Sequence, residues 1–353
     1  MALYRPASNK KGNWLLWILL AFVVLAGGYF ILGRNNSQPQ ASDTGNVVVE
    51  QPAAEDTAAV ERPAAPSVLS GAEPIVPDNE IATEAAESNV PEGNIPDMGN
   101  PNVTESVAAA MACLDANPPK IIEARIALND LLPVEMSSSQ RDYVKTQLSS
   151  LAEKWLFSKA IFPHDPLCGT HKVASGQLLS NIGKTYNVPY EILMQINGIS
   201  KPESLQAGQT IKVVKGPFHA RIYKSRFQLD LYLQNTFVKS FPVGLGKPGY
   251  ETPTGLWVVE PGGKMIKPSW TDPDTGKTYN AEDPDYPLGE RWIALEGTKG
   301  DALGRDGFAI HGTNKADEIG AAKSRGCIRM YNDDVILMYN LLEPGVSKVE
   351  IVN

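Results

Sequence analysis

The 353 residues include only three cysteines and four histidines. None of them fall at metal-ligand spacings such as C-x-x-C or H-E-x-x-H, so no metal is expected, and no cofactor. Positive charge is the minority sign: 32 Lys and Arg against 40 Asp and Glu leave a net charge of -8, which argues against a nucleic-acid partner. Aromatic residues are missing altogether between Ile31 and Asp142. Within that stretch, Asn35 to about Glu105 is rich in Pro, Ala, Glu and Asp. Such a segment lacks the apolar surface to offset its ordering entropy, so residues 33–105 are expected to be a disordered acidic linker. A flexible coil of about 70 residues has a root-mean-square reach of roughly 50 Å. It serves either as a tether or as solubilising filler.

Only one long hydrophobic run is present. Trp14 to Leu32 is an uncharged apolar stretch of 19 residues, preceded by Arg5, Lys10 and Lys11. About 20 apolar residues span a bilayer, and the basic flank is expected to stay cytoplasmic. Residues 1–13 then form a cytoplasmic tail, 14–32 a transmembrane helix, and the rest of the chain lies outside the inner leaflet. The competing reading is a cleaved signal peptide, with small residues at Ala26-Gly27-Gly28, although signal h-regions are usually only about 7–15 residues long. No cysteine follows the run closely, so lipid anchoring is not supported.

Residues 106–160 turn helical. Val144, Leu148, Leu151, Ala152 and Trp155 recur at three and four, Ser137 to Ser139 offer N-caps, and a small helical hairpin is expected. Residues 169–215 read strand, helix, helix, strand, with a first strand near His171, helices through Leu179 to Tyr186 and Ile192 to Ile196, and a last strand from Thr210. From 216 to 353 the pattern is mainly strands, among them Leu229, Leu231 and Leu233 alternating with polar residues, then Thr236–Val243, 256–260, 291–295, Phe308–His311 and Lys348–Val352. Asn332 is placed to cap one short helix. A long Pro, Gly and Asp rich loop between Pro261 and Pro287 bears Trp270 and Tyr279, and loops of that length are often lids.

The chemistry concentrates near the C-terminus. Gly307-Phe308-Ala309-Ile310-His311-Gly312-Thr313 puts a histidine at a strand end, with Gly312 allowing a sharp turn. Further on, Ser324-Arg325-Gly326-Cys327-Ile328-Arg329-Met330 holds a cysteine beside a glycine and an arginine. A cysteine attacks as thiolate and needs a base or a positive neighbourhood. His311 and Arg329 offer both, and the amides of Gly326 and Cys327 can face an oxyanion. The bland alternative, a structural cysteine and a satisfied core histidine, does not account for the glycines and the arginine together.

These two segments, with Gly244-Leu245-Gly246, Thr252-Pro253-Thr254-Gly255 and Pro287-Leu288-Gly289-Glu290-Arg291-Trp292-Ile293, resemble the YkuD-type L,D-transpeptidases over residues 216–353. Arg325 departs from that pattern, since the position is often His. Residues 171–215 resemble a LysM module, through Gly176-Gln177-Leu178-Leu179, Tyr186-Asn187-Val188-Pro189, Asn197-Gly198 and Leu205-Gln206-Ala207-Gly208-Gln209-Thr210-Ile211. Here Gln177 and Leu178 stand where Asp and Thr or Ser are usual. The resemblance implies a β-rich, sandwich-like catalytic domain and a βααβ glycan-binding module, with peptidoglycan stem peptides and glycan strands as partners. It implies attack by Cys327 on the stem peptide with His311 as base, a thioester, and transfer to a neighbouring amine as a 3→3 cross-link. The oxyanion would rest on Gly326 and Cys327, and Arg329, Ser324, Gly312 and Thr313 would contact substrate. An L,D-carboxypeptidase, an enzyme attaching or detaching wall proteins, and a catalytically silent wall anchor are the alternatives. An extracytoplasmic setting would also permit a Cys113 to Cys168 disulfide, leaving Cys327 as the free thiol.

Overall fold

The structure, a computed structural model, describes residues 99–353. The apolar run 14–32 and most of the linker lie outside the described residues. Among the described residues no helix is long and apolar enough to cross a membrane.

The helical segment starts at Pro101, inside the expected linker, and holds three helices rather than a hairpin: α1 (Pro101–Ala112), α2 (Ile121–Leu131) and α3 (Ser138–Trp155). Ser137 caps α3 through a full capping box with Gln140, as the serine run suggested. Val144, Leu148, Leu151 and Trp155 bury the apolar stripe of α3. The next unit has β1 (Cys168–Lys172), α4 (Leu179–Tyr186), α5 (Tyr190–Asn197) and β2 (Thr210–Val214), the two strands antiparallel. Lys212 of β2 welds this unit to the helices. Its ammonium donates to the carbonyls of Trp155, Ser158 and Ala160 at 2.6, 2.9 and 2.7 Å, which satisfies acceptors left over at the C-terminal end of α3.

The remaining strands are β3 (Phe218–Tyr223), β4 (Gln228–Leu233), β5 (Thr236–Pro242), β6 (Leu245–Gly246), β7 (Gly255–Met265), β8 (Trp270–Thr271), β9 (Thr278–Tyr279), β10 (Trp292–Lys299), β11 (Phe308–His311), β12 (Ala322–Ser324), β13 (Ile328–Arg329) and β14 (Lys348–Val352), with α6 (Asn332–Leu341) between the last two. The β-rich character holds, in the form of one continuous eight-stranded mixed sheet ordered β13-β11-β10-β7-β14-β3-β4-β5. The pairs β11/β13 and β14/β3 are parallel. Two-stranded pairs β12/β6 and β8/β9 stand apart.

Strand alternation fails at one informative place. Asp230 is one of the polar residues that alternate with the leucines of β4, yet it is fully buried. The reason is tertiary: α3 packs there, and Lys145 Nζ meets Asp230 Oδ2 at 2.5 Å. Gln228 Nε2 and Ser240 Oγ donate to the other oxygen at 2.6 and 2.7 Å. A buried carboxylate persists only when paired and hydrogen-bonded in this way.

Cys113 and Cys168 are not joined; all three cysteines are free thiols. Cys168 is buried beneath the end of α3, with Sγ 3.8 Å from the carbonyl of Trp155. Burial, helped by the negative charge of Asp165, pushes its pKa up to about 12.

Candidate active site

His311 is the last residue of β11 and pairs in register with Arg329 of parallel β13, as Ile310 pairs with Ile328. Both isoleucines are fully buried. Side chains alternate along a strand, so His311 and Arg329 project from the opposite face to the isoleucines. Cys327 directly precedes β13. The two segments picked out in the sequence are therefore brought to neighbouring strand ends. Their sequence separation is closed by the parallel pairing, which needs the crossover that the intervening loop supplies.

The histidine is held tightly. Its Nδ1 lies 2.6 Å from the carbonyl of Gly312. A carbonyl only accepts, so Nδ1 carries the proton and Nε2 keeps the lone pair. Trp292, its partner on β10, stacks on the ring at 5.5 Å between centroids and 16° between planes. Burial drives the pKa of His311 down to about 4, against the opposing pull of the Gly312 and Leu288 backbone, with Arg329 adding to the depression.

Asn332 organises the loop after His311. Its Oδ1 accepts from the amides of Glu290 and Thr313 at 3.2 and 3.3 Å, and its Nδ2 donates to the Thr313 carbonyl at 3.1 Å. The expected helix cap is thus not its role: Asn332 is the first residue of α6, and the cap position is Tyr331, whose side chain makes no capping bond. A Cβ on Gly312 would come within 2.2 Å of Asn332 Oδ1, so residue 312 must be glycine for want of space rather than for a turn alone. Thr313 is buried, and its Oγ1 accepts from the Lys315 amide at 3.0 Å. Gly312 and Thr313, expected from the resemblance to contact substrate, hold the His311 ring and the loop that follows it.

The loop before Cys327 is closed by its own hydrogen bonds. Ser324 is buried; its hydroxyl donates to the Cys327 carbonyl at 2.6 Å and accepts from the Gly326 amide at 3.1 Å. The Ser324 hydroxyl therefore closes the turn. The Gly326 amide is occupied by that bond, so of the two amides expected to serve an oxyanion, that of Cys327 remains. Gly326 itself has φ +112°, and a Cβ there would lie 2.7 Å from the Phe308 ring. Thr252, not singled out as a site residue, braces the loop from behind: its Oγ1 donates to the Gly326 carbonyl at 2.8 Å and accepts from the Gly246 amide at 3.0 Å.

The Cys327 thiol contacts the Gly307 carbonyl at 3.9 Å. Burial raises its pKa, and the Ala309 backbone opposes this. Arg329 forms an ion pair with Glu318. Its Nε is buried without a hydrogen-bond partner. Arg325 turns away to the long loop, where it pairs with Asp272 and Asp274. In the small βααβ unit, Gln177 Oε1 meets the Ala174 amide and His171 Nε2 at 3.0 and 2.9 Å, so the residue at the departed position serves its own loop. Leu178 beside it is 62% exposed.

Comparisons with known proteins divide the chain at the same place. Residues 217–351 match the model of the YkuD family, described as an L,D-transpeptidase catalytic domain, and residues 171–214 match the LysM domain. The protein named "Putative L,D-transpeptidase YkuD" in Bacillus subtilis is 30% identical over 183 residues, which is 50% of this chain and 94% of that protein. "Probable L,D-transpeptidase YcfS" of Escherichia coli is 30% identical over 198 residues, 50% of this chain and 59% of that one. Among solved structures, an L,D-transpeptidase from Mycobacterium smegmatis gives a partial likeness: 15% identity and a TM-score of 0.30, over 41% of this chain and 64% of that one. The chain belongs to the YkuD-type L,D-transpeptidase family, its catalytic domain preceded by a LysM domain.

Proposed function

We propose that the chain is a membrane-anchored peptidoglycan L,D-transpeptidase with Cys327 as nucleophile and His311 as base. What supports this is the parallel pairing of β11 with β13, which brings together the segments that carry His311 and Cys327, and the Gly312 carbonyl, which holds the imidazole with Nε2 unprotonated. With the base's pKa low and the thiol's raised, the resting pair is neutral imidazole and neutral thiol. Proton transfer is then coupled to attack rather than completed beforehand.

In the first half-reaction the sulfur bonds to the carbonyl carbon of the third stem residue while the thiol proton passes to His311. The tetrahedral oxyanion rests on the Cys327 amide. Its collapse breaks the C–N bond to D-alanine, whose nitrogen takes the proton from His311, leaving a thioester. In the second half-reaction the side-chain amine of a neighbouring stem attacks the thioester and gives its proton to His311. The C–S bond breaks, the thiol is reprotonated, and a 3→3 cross-link results. Arg329, in register with His311, supplies the positive charge that draws a stem carboxylate. The run 14–32 anchors the chain in the inner membrane with the catalytic domain outside, and the LysM domain holds glycan strands beside it.

The test is intact-mass analysis of the chain incubated with a disaccharide bearing a tetrapeptide stem, beside Cys327→Ala. A Cys327-dependent acyl adduct, released D-alanine and a dimeric product are expected. A tripeptide without dimer would make the enzyme a carboxypeptidase, and no adduct would leave a wall-binding protein.

A further inference from the structure

The segment between β7 and β10 is fastened on both sides of the reactive pair. At its far end, Arg325 Nη2 donates to Asp272 Oδ1 at 3.2 Å and also to Asp274 Oδ2, both on the turn joining β8 to β9. At its near end, the backbone of Leu288 faces the His311 ring, and Asn314 Nδ2 donates to the Asp285 carbonyl at 3.0 Å. Arg325 stands two residues before Cys327, and Asn314 three after His311. The strip is thus held at one point beside Cys327 and at another beside His311.

The strip has some stiffness of its own. Trp270 stacks on Tyr279, with centroids 6.1 Å apart and planes at 28°. Tyr286 donates to the Pro268 carbonyl at 2.7 Å, closing the strip on itself. The β8/β9 ladder has only two residue pairs, however, and so short a hairpin does not hold a position unaided. Its position relative to Cys327 depends on what it is tied to.

We propose that Arg325 is a positioning residue for the acyl transfer: by gripping Asp272 and Asp274 it fixes the Trp270–Tyr279 hairpin as a wall of the cleft in which the donor peptide lies against Cys327. This rests on the reading of the chain as a Cys327-dependent transpeptidase. A guanidinium suits the task because its planar fork presents several donors to separate carboxylates, which an ammonium does less well. The grip is reversible. Arg325, Asp272 and Asp274 are 33%, 19% and 60% exposed, and partly exposed pairs shift an equilibrium by less than about tenfold and weaken with salt.

The experiment compares wild type, Arg325→Gln, the double variant Asp272→Asn with Asp274→Asn, and the exchanged pair Arg325→Asp with Asp272→Arg, all in the full chain. The rate of Cys327 alkylation by iodoacetamide without substrate is read by peptide mapping, then KM and kcat with the tetrapeptide stem. Both one-sided variants are expected to alkylate about threefold to tenfold faster and to raise KM by a similar factor, with kcat within about twofold. The exchanged pair is expected to recover much of the protection. Charge alone cannot mimic this, because removing Arg325 and removing the two carboxylates change the local field in opposite directions, whereas hairpin release moves both variants the same way. Opposite effects, or wild-type alkylation and KM in both variants, overturn the proposal. If wild type forms no acyl adduct, the transpeptidase reading fails, yet the alkylation comparison still decides whether Arg325 holds the hairpin.

Discussion

Burial of His311 as a neutral ring links folding to acid. Its folded pKa of about 4 lies below the value near 6.5 of an exposed histidine. Between those values the unfolded chain binds a proton that the native ring refuses, so the contribution is fully present above pH 6.5 and is lost as pH falls towards 4. Integrated for one site, the loss is about 2 kcal/mol between pH 7 and pH 5 and about 3 kcal/mol by pH 4. The assay is urea unfolding at pH 7 and pH 5 for wild type and for His311→Gln, which cannot titrate. Other groups titrate in both proteins and cancel in the difference. Wild type should lose about 2 kcal/mol more than the variant on acidification. Equal losses would mean that the ring is protonated or solvated in the native state, and the neutral-base account of catalysis would fall with it. The same low pKa places the acid limb of kcat/KM near pH 4 rather than near 6.5.

Other expectations follow from single contacts. Lys145→Met leaves the Asp230 carboxylate buried without its cation and should lower unfolding stability by about 3–5 kcal/mol, read from the urea midpoint. Asn332→Ala strips the Glu290 and Thr313 amides of their acceptor and should cost about 1–3 kcal/mol, with a fall in kcat/KM. Gly326→Ala forces a side chain into a positive-φ position against Phe308, and displacing the nucleophile by about 1 Å should reduce kcat/KM roughly a hundredfold. Titration of the denatured, unreduced chain should find three free thiols, and one would reinstate the Cys113 to Cys168 bridge.

Much of the fold was legible because its strands are short, apolar and punctuated. Phe308–His311 and Lys348–Val352 have the expected bounds, and Leu229, Leu231 and Leu233 are buried as their alternation implied. Errors fell where a residue's partner is distant in sequence. The burial of Asp230 has no local signal, because its partner Lys145 is 85 residues away. Asn332 looked like a cap because capping is its usual local use, and its true partners on the loops at 290 and 313 come together only in the fold. Ser324 and the Gly326 amide satisfy one another, a bond that a motif does not reveal.

By itself the sequence determined the reactive residue types, their glycine neighbours and the periodicities that make strands and helices, since these depend on covalent chemistry and local backbone preference. It also carried the two motif sets that mark the YkuD-type and LysM domains. Only the tertiary structure decided which way each polar side chain turned: the tautomer of His311, the pairing of Arg329 with Glu318, and the reach of Arg325 to Asp272 and Asp274. Those outcomes depend on burial and on partners supplied by other strands. Desolvation and charge act through space, and a linear pattern does not encode distance.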